Sequence, residues 1–130
     1  MRGEGLMDCF EREKGKSPVN EETGSLLSQR DIDMLASFDE GSSGYFYKML
    51  DYLINFIRSG IEDGRFTEQQ AYEDLQIALW YAYGCLNIDE YEYYYRAAQW
   101  LPDSEKNAEG CGIWYYRYSV ALMYCGRLEG

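Results

Sequence analysis

Four cysteines, Cys9, Cys85, Cys111 and Cys125, are the residues in this sequence best suited to soft-metal or nucleophilic chemistry. None stands in a Cys-x-x-Cys pair, the local spacing on which zinc sites and thioredoxin-type motifs rest. A cysteine nucleophile also needs a base beside it. The sequence contains no histidine, which removes the commonest general base and the commonest metal ligand together. Carboxylates are plentiful, and two clusters invite a cation: Asp89, Glu90 and Glu92, and Asp31, Asp33, Asp39 and Glu40. The second lacks the spacing and central glycine of a calcium loop. Both read better as solvated acids at helix starts, where the helix dipole favours negative charge. Gly41-Ser42-Ser43-Gly44 has neither the following lysine nor the preceding strand of a phosphate-cradling loop. The expectation is therefore no catalytic residue, no metal and no cofactor, in a protein that is not an enzyme.

Charge and aromatic content narrow the partners. The 130 residues carry a formal net charge of −11, which repels nucleic-acid phosphates and anionic lipid and suits a basic protein or peptide. The run Tyr91-Glu92-Tyr93-Tyr94-Tyr95-Arg96 could stack bases only beside a basic groove, and this surface is acidic. Aromatic residues make up 17%, with 14 tyrosines among them. A tyrosine ring packs while its hydroxyl reaches water or a polar group, a useful property where surface is extensive and the interior thin. No apolar run is long enough to span a bilayer, and no signal peptide precedes the cysteines. Free thiols in the cytoplasm are expected.

The elements that must position these residues are helical. Residues 1–27 mix Gly, Ser, Pro and charges of both signs and read as a flexible tail. Asp31 to Phe38 suits a short helix, with Ser28 and Asp31 as its capping box. Phe46, Met49, Leu50, Leu53, Phe56 and Ile57 fall at helical spacing over 45–58, with Asp63-Gly64 as a firm stop. Thr67 and Gln70 form a second capping box, and the helix behind it runs to about Leu86 with Tyr72, Leu75, Leu79 and Tyr83 on one face. A third long helix covers 90–100 and is closed by Pro102. Residues 103–112 read as a polar linker, and a last helix runs from Ile113 to Cys125, with Gly126 as its stop. Strand signals are absent. The class is all-α, an antiparallel bundle or helical array of about five helices.

The last helix is unusual. Ile113, Trp114, Tyr115, Tyr116, Tyr118, Val120, Leu122, Met123 and Tyr124 lie on every side of it, and a helix apolar all round needs neighbours all round. Either another copy packs there or further helices of a longer chain do.

Residues 71–104 resemble one unit of the tetratricopeptide-repeat (TPR) family, a helix–turn–helix of about 34 residues. Ile77, Ala78 and Tyr81 occupy the leucine, glycine and tyrosine places of its first helix. Tyr94, Ala97 and Pro102 occupy the phenylalanine, small-residue and proline places of its second. Asp74 stands where a tryptophan is usual and Glu90 where an alanine is usual. Residues 113–130 are similar to the first helix of a following unit, with Tyr115, Tyr118, Ser119 and Leu122 in the aromatic, large, small and large places. Ala78 and Ser119 lie 41 positions apart, about seven more than the family period of roughly 34.

The resemblance implies a non-enzymatic module for protein–protein interaction, the N-terminal part of a longer array. In this family the first helices line a groove, so the implied partner-binding set is Tyr72, Leu75, Leu79 and Tyr83, then Ile113, Tyr116, Val120 and Met123. Each of these is otherwise a core residue. Two other readings stand beside it: an accessory helical domain of a larger enzyme or regulator, and a small homodimer that self-associates through the last helix.

Overall fold

The computed structural model describes residues 18–39 and 43–126. They form six α-helices and one 3-10 segment. The all-helical class is as the sequence implies; the organisation differs in three places.

Helix α1 (Gln29–Ser37) starts on its capping box: Ser28 Oγ accepts the Asp31 N–H at 3.1 Å, and the Asp31 carboxylate accepts the Ser28 N–H at 2.9 Å. Helix α2 (Ser43–Glu62) buries Phe46, Met49, Leu50, Leu53 and Ile57, one stripe at helical spacing. It runs past Gly60, where a Cβ would come within 2.1 Å of the Phe66 ring. Glycine is required there because the chain, turning at Gly64 (φ +76°), folds Phe66 back over the helix end. Phe66 then stacks on Phe56 at 5.6 Å.

Thr67 caps the next helix with Gln70, as the sequence indicates. That helix does not continue to Leu86. It stops as α3 (Glu68–Glu73), and α4 (Leu75–Ile88) begins afresh on Asp74, whose backbone is extended (ψ 123°). The cause is the Asp74 side chain, which takes three hydrogen bonds: from Ile77 N–H at 3.0 Å, Ser25 Oγ at 2.7 Å and Leu26 N–H at 2.7 Å. One carboxylate thus caps α4 and clasps the chain 48 residues earlier. Of the carbonyls freed at the break, Glu73's is taken by Asn107 Nδ2 at 2.7 Å.

The same clasp corrects the tail. Residues 18–27 are folded: Asn20 and Ser25 pair across a tight turn, and Asn20 Nδ2 and Thr23 Oγ1 donate to carbonyls of residues 25–27. Ser25, Leu26 and Leu27 are buried. Residues 1–17 lie outside the described residues, as do 40–42 and 127–130.

Helix α5 (Tyr91–Trp100) follows Asp89, a left-handed residue (φ 64°) that accepts the Tyr94 hydroxyl. The expected polar linker is instead a 3-10 segment, Leu101–Asn107, with Pro102 in its first turn and Leu101 and Ser104 buried. Ser104 Oγ accepts the indole N–H of Trp114 at 2.8 Å, which seats α6 (Gly112–Gly126).

Helix α4 is the centre. It packs against α2, α5 and α6 and buries Ile77, Ala78, Tyr81, Ala82, Gly84, Cys85 and Ile88. Tyr81 stacks on Trp100, so α5 runs antiparallel to α4; Tyr94 stacks on Tyr124, so α6 runs antiparallel to α5. Helix α6 therefore lies beside α4 in the same direction, with Arg117 bonded to the Leu79 carbonyl.

Candidate interaction surfaces: a groove between α4 and α6 and the outer face of α6

Of the carboxylates that invite a cation in sequence, Glu40 lies outside the described residues and the other six are engaged with side chains of the fold, Asp33 by Gln29 Nε2 at 3.0 Å. Asp31 accepts the Tyr52 hydroxyl and Asp39 that of Tyr83, both at 2.7 Å; Asp89 accepts that of Tyr94, and Glu90 that of Tyr47 at 3.3 Å. Glu92 pairs with Arg96. Burial and the bond to Asp31 push the Tyr52 hydroxyl up to about 12, and burial and the bond to Asp89 do the same for Tyr94. At Asp31, burial acts upward, but the bonds from Tyr52 and Ser28 outweigh it and hold the carboxyl below its usual range. Tyrosine and acid richness are thus two halves of one device: rings that range from exposed (Tyr47) through half-buried (Tyr52, Tyr83) to buried (Tyr94), each anchored by its hydroxyl to a carboxylate. No group of three or more His, Cys, Asp or Glu side chains gathers as a metal site among the described residues. Cys85 is buried, and burial raises its thiol to about 12, far from the low values that make a thiolate reactive.

The eight residues of the implied partner-binding set are distributed over four places. Three come together. Leu79 and Tyr83 of α4 and Ile113 of α6 line a groove of about 400 Å³ with Asp39, Gln76, Trp80 and Arg117. Arg117 forms its floor: it donates to the Leu79 carbonyl at 2.7 Å and lies 4.9 Å over the Tyr83 ring. Burial lowers the pKa of its guanidinium. Tyr83 is itself held on three sides, by Asp39 at its hydroxyl, by Phe46 edge-on at 5.8 Å and by Trp80 edge-on at 6.2 Å. Its hydroxyl pKa is raised by the bond to Asp39 and by burial.

Tyr72 and Leu75 do not join this groove: the break at Asp74 leaves Tyr72 on α3, and Leu75 is the first residue of α4, at the end that meets residues 18–26. Tyr72 packs edge-on against Trp100 at 4.8 Å, in a hollow of about 280 Å³ shared with Tyr81, Arg96, Gln99 and Asp103. Leu75 lines another hollow, of about 420 Å³, with Val19, Leu26 and Asn107. Tyr116 and Met123 lie on the outer face of α6, 68% and 48% exposed, and Val120 is half-buried at its edge. Sequence reasoning missed Trp80, Arg117 and Asp39 as groove residues. Arg117 had a visible signal, since it is the one charged residue in an otherwise uncharged fifteen-residue helix.

No family model matches the chain, and neither a curated protein nor a solved structure matches it. No helix among the described residues is long and apolar enough to cross a membrane.

Proposed function

We propose that this chain is a non-enzymatic, TPR-like protein-interaction module of the cytoplasm, whose α4/α6 groove receives an apolar segment of a basic protein or peptide. The observation that carries this reading is the groove itself: Leu79, Trp80, Tyr83 and Ile113 line an open apolar slot between two helices running in the same direction, on a chain of net charge −11. Polar side chains of such a slot fix orientation while its apolar walls supply the free energy. The α4–α5–α6 succession supports the repeat likeness. Residues in the small-residue places, Ala78 and Ala97, are buried, and α6 packs on both α4 and α5. The break at Asp74 marks the departure from that pattern. The absence of histidine in the sequence and the raised thiol of Cys85 support the non-enzymatic part.

The test is a titration with an amphipathic helical peptide carrying lysines on its polar face, read by amide chemical shifts. Shifts should centre on Leu79, Trp80, Tyr83 and Ile113 and weaken as salt is raised. The same apolar pattern with glutamates should bind at least tenfold more weakly. Trp80→Gln, checked for retained helicity, should abolish the response. Equal binding of both peptides, or shifts that avoid the groove, would refute the assignment.

A further inference from the structure

The outer face of α6 is a different surface from the groove, and its pattern is specific. Trp114, Ala121 and Cys125 face the core, while Tyr115, Tyr116, Ser119, Leu122 and Met123 form an exposed strip on the opposite side. The strip is arranged symmetrically about Ser119. Three and four residues before it stand tyrosines; three and four residues after it stand leucine and methionine; seven residues away on either side stand glycines, Gly112 and Gly126. A Cβ built at either glycine meets nothing within 4 Å, so the backbone there is open to close approach.

We propose that α6 pairs through this strip with α6 of a second copy of the chain, antiparallel, with the two-fold axis beside Ser119. A two-fold interface is self-complementary: if residue i of one copy meets j of the other, then j meets i. Antiparallel pairing about Ser119 sets Tyr116 against Leu122 and Tyr115 against Met123 of the second copy, four times a flat ring against a flexible aliphatic or thioether side chain. Ser119 meets Ser119 at the crossing and the glycines meet at the ends, which lets the backbones come close.

Charge selects the second copy over a basic partner. Helix α6 contains no acid, and its one cation, Arg117, is held on the groove side by the Leu79 carbonyl and the Tyr83 ring. A basic surface would find no carboxylate on this helix to pair with. Two copies, each of net charge −11, approach with least repulsion where both surfaces are neutral. A helix of this length spans roughly 22 Å, so one such crossing gives a concentration-dependent dimer rather than an obligate one.

The experiment uses sedimentation equilibrium on the whole chain and two single variants, Ser119→Arg and Ser119→Glu. The unaltered chain is expected to dimerise at high micromolar concentration. Each variant alone places like charges across the axis and should weaken the dimer at least tenfold, with unchanged helicity. An equimolar mixture of the two should restore the dimer, because only pairing of residue 119 with residue 119 sets arginine against glutamate. Trp80→Gln, in the groove, should leave the dimer intact, which separates this inference from the peptide-binding reading. A chain that stays monomeric at millimolar concentration, variants that dimerise as well as the parent, or a mixture that fails to recover would overturn it.

Discussion

Helices α4 and α6 are alike in composition and opposite in circumstance. Both are apolar on nearly every side: α4 reads Leu75-Gln-Ile-Ala-Leu-Trp-Tyr-Ala-Tyr-Gly-Cys-Leu-Asn-Ile88, and α6 is as rich in aromatic and aliphatic residues. Among the described residues, α4 packs chiefly against α2, α5 and α6, whereas α6 packs chiefly against α4 and α5, with Trp114 bonded to Ser104 of the 3-10 segment. A helix without an apolar stripe needs cover on all sides. The chain meets that need for one helix and leaves the other with Ile113, Tyr115, Tyr116, Leu122 and Met123 exposed. An all-round apolar helix therefore predicts neighbours without saying whether its own chain supplies them.

The strongest way to break this comparison acts at the start of α4. Asp74→Ala removes an N-cap and strands the Ser25 hydroxyl and the Leu26 N–H, both otherwise satisfied by that carboxylate. A lost cap costs about 1 kcal/mol, and a stranded buried donor about 1–3 kcal/mol. We expect a loss of about 4 kcal/mol in urea unfolding, with residues 18–27 becoming protease-sensitive. A loss below about 1 kcal/mol would mean that α4 is held by packing alone.

Next comes the middle of α4. Ile77 is fully buried, and truncating it to alanine leaves a cavity between α4 and its neighbours. Ile77→Ala should cost about 3 kcal/mol, at the level of core deletions in well-packed proteins. A much smaller cost would show that the surroundings of α4 collapse freely, and the contrast with α6 would lose its basis.

What could be read from the sequence follows the range of the interactions responsible. Both capping boxes, the stop at Gly64 and the α2 stripe of Phe46, Met49, Leu50, Leu53 and Ile57 depend on residues a few positions apart or on helical spacing, and were legible. The break at Asp74 was not, because no glycine or proline stands near it; Gly84, the one glycine between Thr67 and Leu86, lies inside α4. Asp74 is diverted by Leu26 and Ser25, and no local pattern reports a bond across 48 positions. The fold of residues 18–27 was missed for the same reason: its glycine, proline and serine content suggests a tail, yet its carbonyls are tied by Asn20 and Thr23 and its Leu26 and Leu27 enter the core. The groove was half legible. Periodicity placed Leu79 and Tyr83 on one face, and the parallel run of α6 brought Ile113 to them. Tyr72 and Leu75 followed the same spacing, but the break leaves Tyr72 on a separate helix, and Leu75 stands at the first turn of α4 beside residues 18–26.

The smallest predicted effect is the one that sharpens the comparison most. Leu122 on α6 is 44% exposed, and alanine is at least as good a helix former as leucine. In dilute solution, where any self-association is absent, Leu122→Ala should change stability by less than about 0.5 kcal/mol, as surface substitutions do. Set against Ile77→Ala, it compares aliphatic truncations to the same residue in two helices of similar apolarity, with cover as the main variable. Thermal unfolding at low micromolar concentration measures both. If Leu122→Ala costs more than about 1 kcal/mol there, α6 is covered within the single chain. The difference between the two helices would then vanish. If the cost is absent when dilute and emerges as concentration rises, the missing neighbour comes from outside the chain.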